Sequence, residues 1–77
     1  MSSNAIPSNV ITPLVNGEAR AVPAGSTVGD LLRSLALDPR MVVVEHNRTI
    51  LRDRSAYDTI TLSPADTIEI VHFVGGG

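Results

Sequence analysis

Residues 27–39 read TVGDLLRSLALDP, and this stretch decides what kind of fold the chain can form. Val28, Leu31, Leu32 and Leu35 recur at the spacing of one helical face. Thr27, followed three residues later by Asp30, resembles a capping box with Asp where Glu or Gln is usual, and Asp30 also suits the positive end of the helix dipole. Asp38 stands before Pro39, and a residue before proline is pushed out of the α region. The spacing therefore predicts one helix over 28–37.

The segments on either side of that helix read as strands. Upstream, VITPLVNGEARAVP (10–23) is two β-prone stretches separated by Asn16-Gly17, a pair that supplies the two positive φ angles of a type I′ hairpin turn. Pro13 has no N–H to give to a ladder, so it belongs at an edge or a bulge. Downstream, MVVVEHN (41–47) is a β-branched run, and TILR (49–52) returns after Asn47-Arg48 as a second hairpin. DRSAYDTITLSPAD (53–66) reads as irregular, with one helical turn around 55–57. TIEIVHFV (67–74) is the last strand, with Ile68, Ile70 and His72 on one face and Glu69, Val71 and Phe73 on the other.

Two strands, a helix and three more strands predict a two-layer α+β domain, because right-handed crossovers leave few other arrangements. The economical solution is a ubiquitin-like β-grasp, a mixed sheet of about five strands packed on one helix. It would occupy 10–74. Residues 1–9, rich in Ser and Asn, read as a disordered N-terminal extension, and 75–77 as a flexible glycine tail.

Composition narrows the function. With 77 residues there is room for one domain and little for a deep catalytic cleft. The absence of cysteine excludes disulfides, thiolate metal sites and a cysteine nucleophile. A formal charge of -2, no Trp, one Tyr and one Phe argue against a nucleic-acid binder, which needs a basic stripe interleaved with aromatics. No apolar run approaches the roughly 20 residues of a membrane helix, so no membrane partner is expected and a cytoplasmic location is the default.

The catalytic inventory is thin. His46 and His72 lie on separate strands without metal-ligand spacing, and they read as half-exposed strand residues; no metal site is expected. No nucleophile elbow frames any serine, and PAGSTVGD (23–30) lacks both the phosphate-loop lysine and dinucleotide-binding glycine spacing. Glu45, Glu69, Asp53, Asp58 and Asp66 look scattered, as solvated charges at strand ends.

What remains is the ending, EIVHFVGGG (69–77). Glycines without side chains make a thin, conformationally free segment that fits a channel too narrow for any Cβ. The group such a tail would offer is a terminal carboxylate, which is ionised at neutral pH and resists nucleophiles until something activates it. A frayed end is the other reading of three glycines. Against it, Val71, Phe73 and Val74 stay apolar up to the glycines, and an apolar patch beside a free tail is what a docking surface looks like.

VNGE, TVGDLL, MVVVEHN and DTIEIVHFVGGG, in that order and at these spacings, resemble the ThiS family of sulfur carriers of thiamine biosynthesis. The resemblance runs over about 15–77, and its final stretch is the most specific part. It implies that a ThiF-type adenylyltransferase uses ATP and magnesium to adenylate the carboxylate of Gly77. Sulfur from a cysteine desulfurase-derived persulfide then replaces an oxygen, and the thiocarboxylate donates its sulfur to thiazole synthase. The chain would be a protein cosubstrate, with no cofactor of its own. By the same resemblance Gly76 completes the di-glycine, Gly75 and Val74 form the threaded tail, and Val71 and Phe73, with Val74, bind partners.

Two features depart from the family pattern. SPAD (63–66) stands where a Gly-Asp turn is common, and the N-terminal extension is long. The small subunit of molybdopterin synthase shares the fold, the di-glycine end and the thiocarboxylate chemistry, but the early Asn-Gly hairpin and the EIVHFVGGG ending favour the thiazole branch. A ubiquitin-like modifier joined to lysines through Gly77, and an interaction domain with an inert tail, are the readings from other classes.

Overall fold

Thr27 opens the helix as expected. In the computed structural model, which describes residues 9–73, its hydroxyl accepts from the Asp30 N–H at 3.1 Å and its own N–H donates to the Asp30 carboxylate at 3.0 Å. Both halves of the capping box are present, which satisfies two of the donors that a helix start leaves open. The helix, α1 (Val28–Ser34), stops three residues short of the expected end. Ala36 takes a left-handed conformation with φ 58, its N–H donates to Arg33 O at 3.0 Å and the Leu37 N–H donates to Leu32 O at 2.9 Å. This is a Schellman closure with alanine in the place glycine usually fills. The sequence offered Pro39 as a stop signal, and the chain turns before reaching it.

Seven strands flank α1: β1 (Val10–Ile11), β2 (Leu14–Val15), β3 (Glu18–Ala19), β4 (Val22–Pro23), β5 (Val42–His46), β6 (Thr49–Ile50) and β7 (Thr67–His72). The first four are one hairpin interrupted at Pro13. Val10 and Ile11 pair with Pro23 and Val22, Leu14 and Val15 pair with Ala19 and Glu18, and Pro13 sits buried between the two ladders. Its carbonyl accepts from Arg20 N–H at 3.0 Å, which is the bulge its missing donor called for. Asn16 and Gly17 have φ 52 and 84, the signs a type I′ turn requires. Asn47 and Arg48 repeat that turn with φ 51 and 71, joining β5 to β6. Asn9, expected outside the fold, already accepts from the Ala24 N–H at 2.6 Å. The rest of the expected extension, 1–8, lies outside the described residues.

The main sheet has five strands in the order β3-β2-β7-β5-β6. β2 and β7 run parallel with Leu14 opposite Thr67 and Val15 opposite Ile68, while the other pairings are antiparallel. A mixed five-stranded sheet with the first hairpin and the last strand adjacent at its centre, wrapped on one helix, is the β-grasp arrangement.

Val15, Val42, Val44 and Ile68 point from the sheet into one buried cluster with Val28, Leu31 and Leu32 of α1. Tyr57 and Leu62 close its end. Tyr57 belongs to a short 3-10 helix, Arg54–Thr59, one turn longer than expected. Gly29 allows α1 to approach this segment, because a Cβ there would run into the Asp58 carboxylate, which Arg33 holds at 2.9 Å.

Candidate functional site

Strand alternation sorts the sheet into two faces, and the one turned away from α1 carries the candidate site. Val43 lies directly opposite Val71 across β5 and β7. One step further along, the Phe73 N–H donates to Met41 O at 2.8 Å, so the ladder continues past the last strand residue, His72, and brings Met41 beside Phe73. Val71 is 62% exposed, Phe73 45% and Met41 43%. Four large apolar residues on adjacent strands therefore form a strip at the end of the sheet from which the sequence runs on into the glycines. Val74, Gly75, Gly76 and Gly77 lie outside the described residues. Of the expected partner-binding residues, Val71 and Phe73 are on the surface and adjoin the strip.

Met41 and Val43 complete the strip, and the sequence reading had not assigned them. MVVV is four apolar residues in a row and carries no alternation from which to tell the inward pair from the outward pair. The register with β7 settles it, burying Val42 and Val44.

The scattered carboxylates are corrected in two places. Asp66 is a buried residue, not a solvated charge. It accepts from the Ser63 N–H at 2.8 Å, from the Asn47 amide at 3.0 Å and from His46 Nε2 at 2.7 Å. Because a carboxylate only accepts, Nε2 of His46 carries the proton. Burial pushes the Asp66 pKa up, but the hydrogen bonds from Asn47, His46 and Ser63 outweigh it and hold the carboxyl below its ordinary value. The Asn47 side chain also accepts from the Thr67 N–H at 2.9 Å, so this network ties the SPAD turn to the β5–β6 turn. It lies at the opposite end of β7 from the apolar strip and is a structural lock. The second correction concerns Glu45 and Glu69, which stand directly opposite each other on the outer face.

Other charges are local. Arg33 bridges Asp30 at 2.8 Å and Asp58 at 2.9 Å on the surface of α1. Asp38 caps the 3-10 turn Pro39–Met41, and the Arg40 guanidinium and N–H lower its pKa to about 2. His72 is exposed opposite Val42. Among the described residues no cluster of three or more His, Cys, Asp or Glu could hold a metal ion, and no helix is long and apolar enough to cross a membrane.

A sequence profile of the ThiS family matches residues 14–77. The chain belongs to the ThiS family. It is 47% identical over 51 residues to the sulfur carrier protein ThiS of Bacillus subtilis, a match that covers 66% of this chain and 76% of that one. It is 41% identical over 63 residues to a thiazole synthase of Magnetococcus marinus, covering 82% of this chain. The chain spans only 19% of the length of that synthase. The crystal structure of the thiamine biosynthesis protein (ThiS) from Geobacter metallireducens superposes with a TM-score of 0.73 at 33% identity, covering 87% of this chain and all of that one. The ThiS motifs now have places in the fold. VNGE is the first type I′ turn, TVGDLL is the capped helix start, MVVVEHN is β5 with its turn, and DTIEIVHF is β7 with the first apolar residue beyond it. SPAD, a departure from the ThiS pattern, is the turn that Asp66 closes on itself through Ser63.

Proposed function

We propose that this chain is a sulfur carrier for building the thiazole ring of thiamine, acting as a cosubstrate of other enzymes in the cytoplasm. The observation that carries the reading is the apolar strip of exposed Met41, Val71 and Phe73 with half-buried Val43, which ends where the glycine sequence begins. An adenylyltransferase of the ThiF type grips the strip and draws the tail into its active site. The four residues after Phe73 reach at most roughly 14 Å when extended, enough to present a carboxylate beyond the docked surface without moving the sheet. The carboxylate of Gly77 attacks the α-phosphorus of ATP, with magnesium on the phosphates, and pyrophosphate leaves. The terminal sulfur of a cysteine desulfurase-derived persulfide then attacks the acyl adenylate and AMP leaves, giving an acyl disulfide. A thiol reductant cleaves its S–S bond, is itself oxidised to a disulfide, and releases the thiocarboxylate that thiazole synthase consumes. The reading requires a free carboxylate on Gly77. It is supported by the likeness to a sulfur carrier and to a thiazole synthase, and by the match extending through residue 77.

Intact-mass measurement after incubation with the activating enzyme, ATP, magnesium and a sulfur donor tests it. The wild-type chain should gain the mass difference of one oxygen replaced by sulfur, located on Gly77. A variant with one residue added after Gly77, or with Gly76→Trp, should fold normally and gain nothing. Equal loading of the extended variant would remove the terminal carboxylate as acceptor, and the proposal with it.

A further inference from the structure

Two carboxylates directly opposite on neighbouring strands repel, and such pairs destabilise a sheet. Glu45 and Glu69 form one in the middle of the outer face. Neither has a hydrogen-bonding or ion-pair partner among the described residues: Arg33 and Arg40 are engaged by aspartates, the Arg54 guanidinium donates to the carbonyls of Pro39 and Val42, and Arg20, Arg48 and Arg52 form no ion pair with either, although Arg48 and Arg52 flank Ile50 on the neighbouring chain segment. Apolar groups flank the pair on two sides. Val43 and Val71 follow it along the strands towards Phe73, and Ile50 lies opposite Glu45 on β6.

The position makes the pair hard to avoid. Glu69 is two residues from Val71 on the same face, a separation of about 7 Å along the strand. A specific interface covers on the order of 800 Å² per partner, a patch roughly 30 Å across. A protein that grips Val71 and Phe73 therefore covers Glu45 and Glu69 as well. Covering two like charges without a counter-charge is costly, because each loses its water and their repulsion grows as the local dielectric falls.

We propose that the protein docked on this face inserts a cationic side chain, a guanidinium by fit, between Glu45 and Glu69. A guanidinium has donors enough for both carboxylates at once and a planar shape that packs against the flanking valines. The seat turns a repulsion in the free domain into two attractions in the complex, so a partner whose contacting surface is acidic or purely apolar is rejected. This inference rests on the carrier reading only in taking the activating enzyme as the docked protein.

The test compares Glu45→Gln/Glu69→Gln with wild type and with Glu18→Gln, a control for net charge on β3. Binding to the activating enzyme is measured by calorimetry across a series of sodium chloride concentrations, and sulfur loading is read by mass in the same samples. The double variant should bind about tenfold more weakly or worse at low salt, with a flatter salt dependence. Its melting temperature alone should rise, because the repulsion is gone, and Glu18→Gln should bind as wild type does. A solely solubilising role for the pair predicts unchanged binding by the double variant, and that result overturns the inference while wild-type loading leaves the carrier reading standing. A loss in Glu18→Gln about half that of the double variant on a logarithmic scale, one charge removed against two, would reduce the effect to net charge and overturn it too. If the wild type neither binds nor loads, the carrier reading falls and takes this seat with it.

Discussion

Ala36 holds a left-handed backbone that costs an L-residue with a Cβ about 1 kcal/mol, and it does so because the Schellman closure needs that geometry. Ala36→Gly should therefore raise stability by roughly 0.5–1 kcal/mol in urea denaturation, the relief of strain exceeding the extra entropy of the unfolded chain. A loss on substitution would mean that the closure is not strained. Asp66 gives a second prediction at this scale. Its folded pKa lies below its ordinary value of 3.8, so its stabilising contribution is complete above that value and is lost as the pH falls through the folded pKa. Asp66→Asn should cost about 1–3 kcal/mol at pH 7 and flatten the decline of melting temperature between pH 5 and pH 2 relative to wild type, to about the extent that this one carboxylate drives it. Legibility at this scale followed distance along the chain. Thr27 and Asp30 could be paired from the sequence because they are three residues apart. Asp66 could not be assigned, because two of its partners, His46 and Asn47, are 20 and 19 residues away and nothing local marks them.

At the scale of elements, α1 is held by its apolar face more than by its own length, since seven residues are too few to be helical alone. Leu32 is fully buried among the sheet residues Val15, Val42, Val44 and Ile68. Leu32→Ala should cost about 2–5 kcal/mol by thermal or urea unfolding, and a loss under about 0.5 kcal/mol would place the side chain elsewhere. The two hairpins were readable because Asn16-Gly17 and Asn47-Arg48 carry turn geometry in the dipeptide itself. The helix end was not, because Ala36 gives no glycine signal and the apolar period runs on through Leu35 and Leu37, which pack against the core from outside the helix. β5 was visible as a strand but its phase was not. Register is a property of a pair of strands, and one strand read alone does not contain it.

For the whole molecule, the fold could be named from the order of its elements, whereas the apolar strip emerged only when β5 and β7 were set side by side. Phe73→Asp should weaken complex formation with the activating enzyme by more than about 1 kcal/mol while leaving the melting temperature nearly unchanged, because the ring is a surface anchor and not core. Unfolding of that variant would assign Phe73 to the core. Unchanged affinity would move the docking site off this strip. The central place of β7 has one more consequence, which concerns synthesis. Among the described residues β7 is the only strand bonded to both β2 and β5, and it follows both of them in the sequence. As the polypeptide leaves the ribosome, no ladder joins its two hairpins until residues 67–72 emerge, although α1 packs against both, so the slow long-range pairing waits for β7. A message cut short before this point yields a chain whose two hairpins share no sheet. A copy whose five-stranded sheet is whole has therefore been translated at least through residue 72, to the edge of the apolar strip.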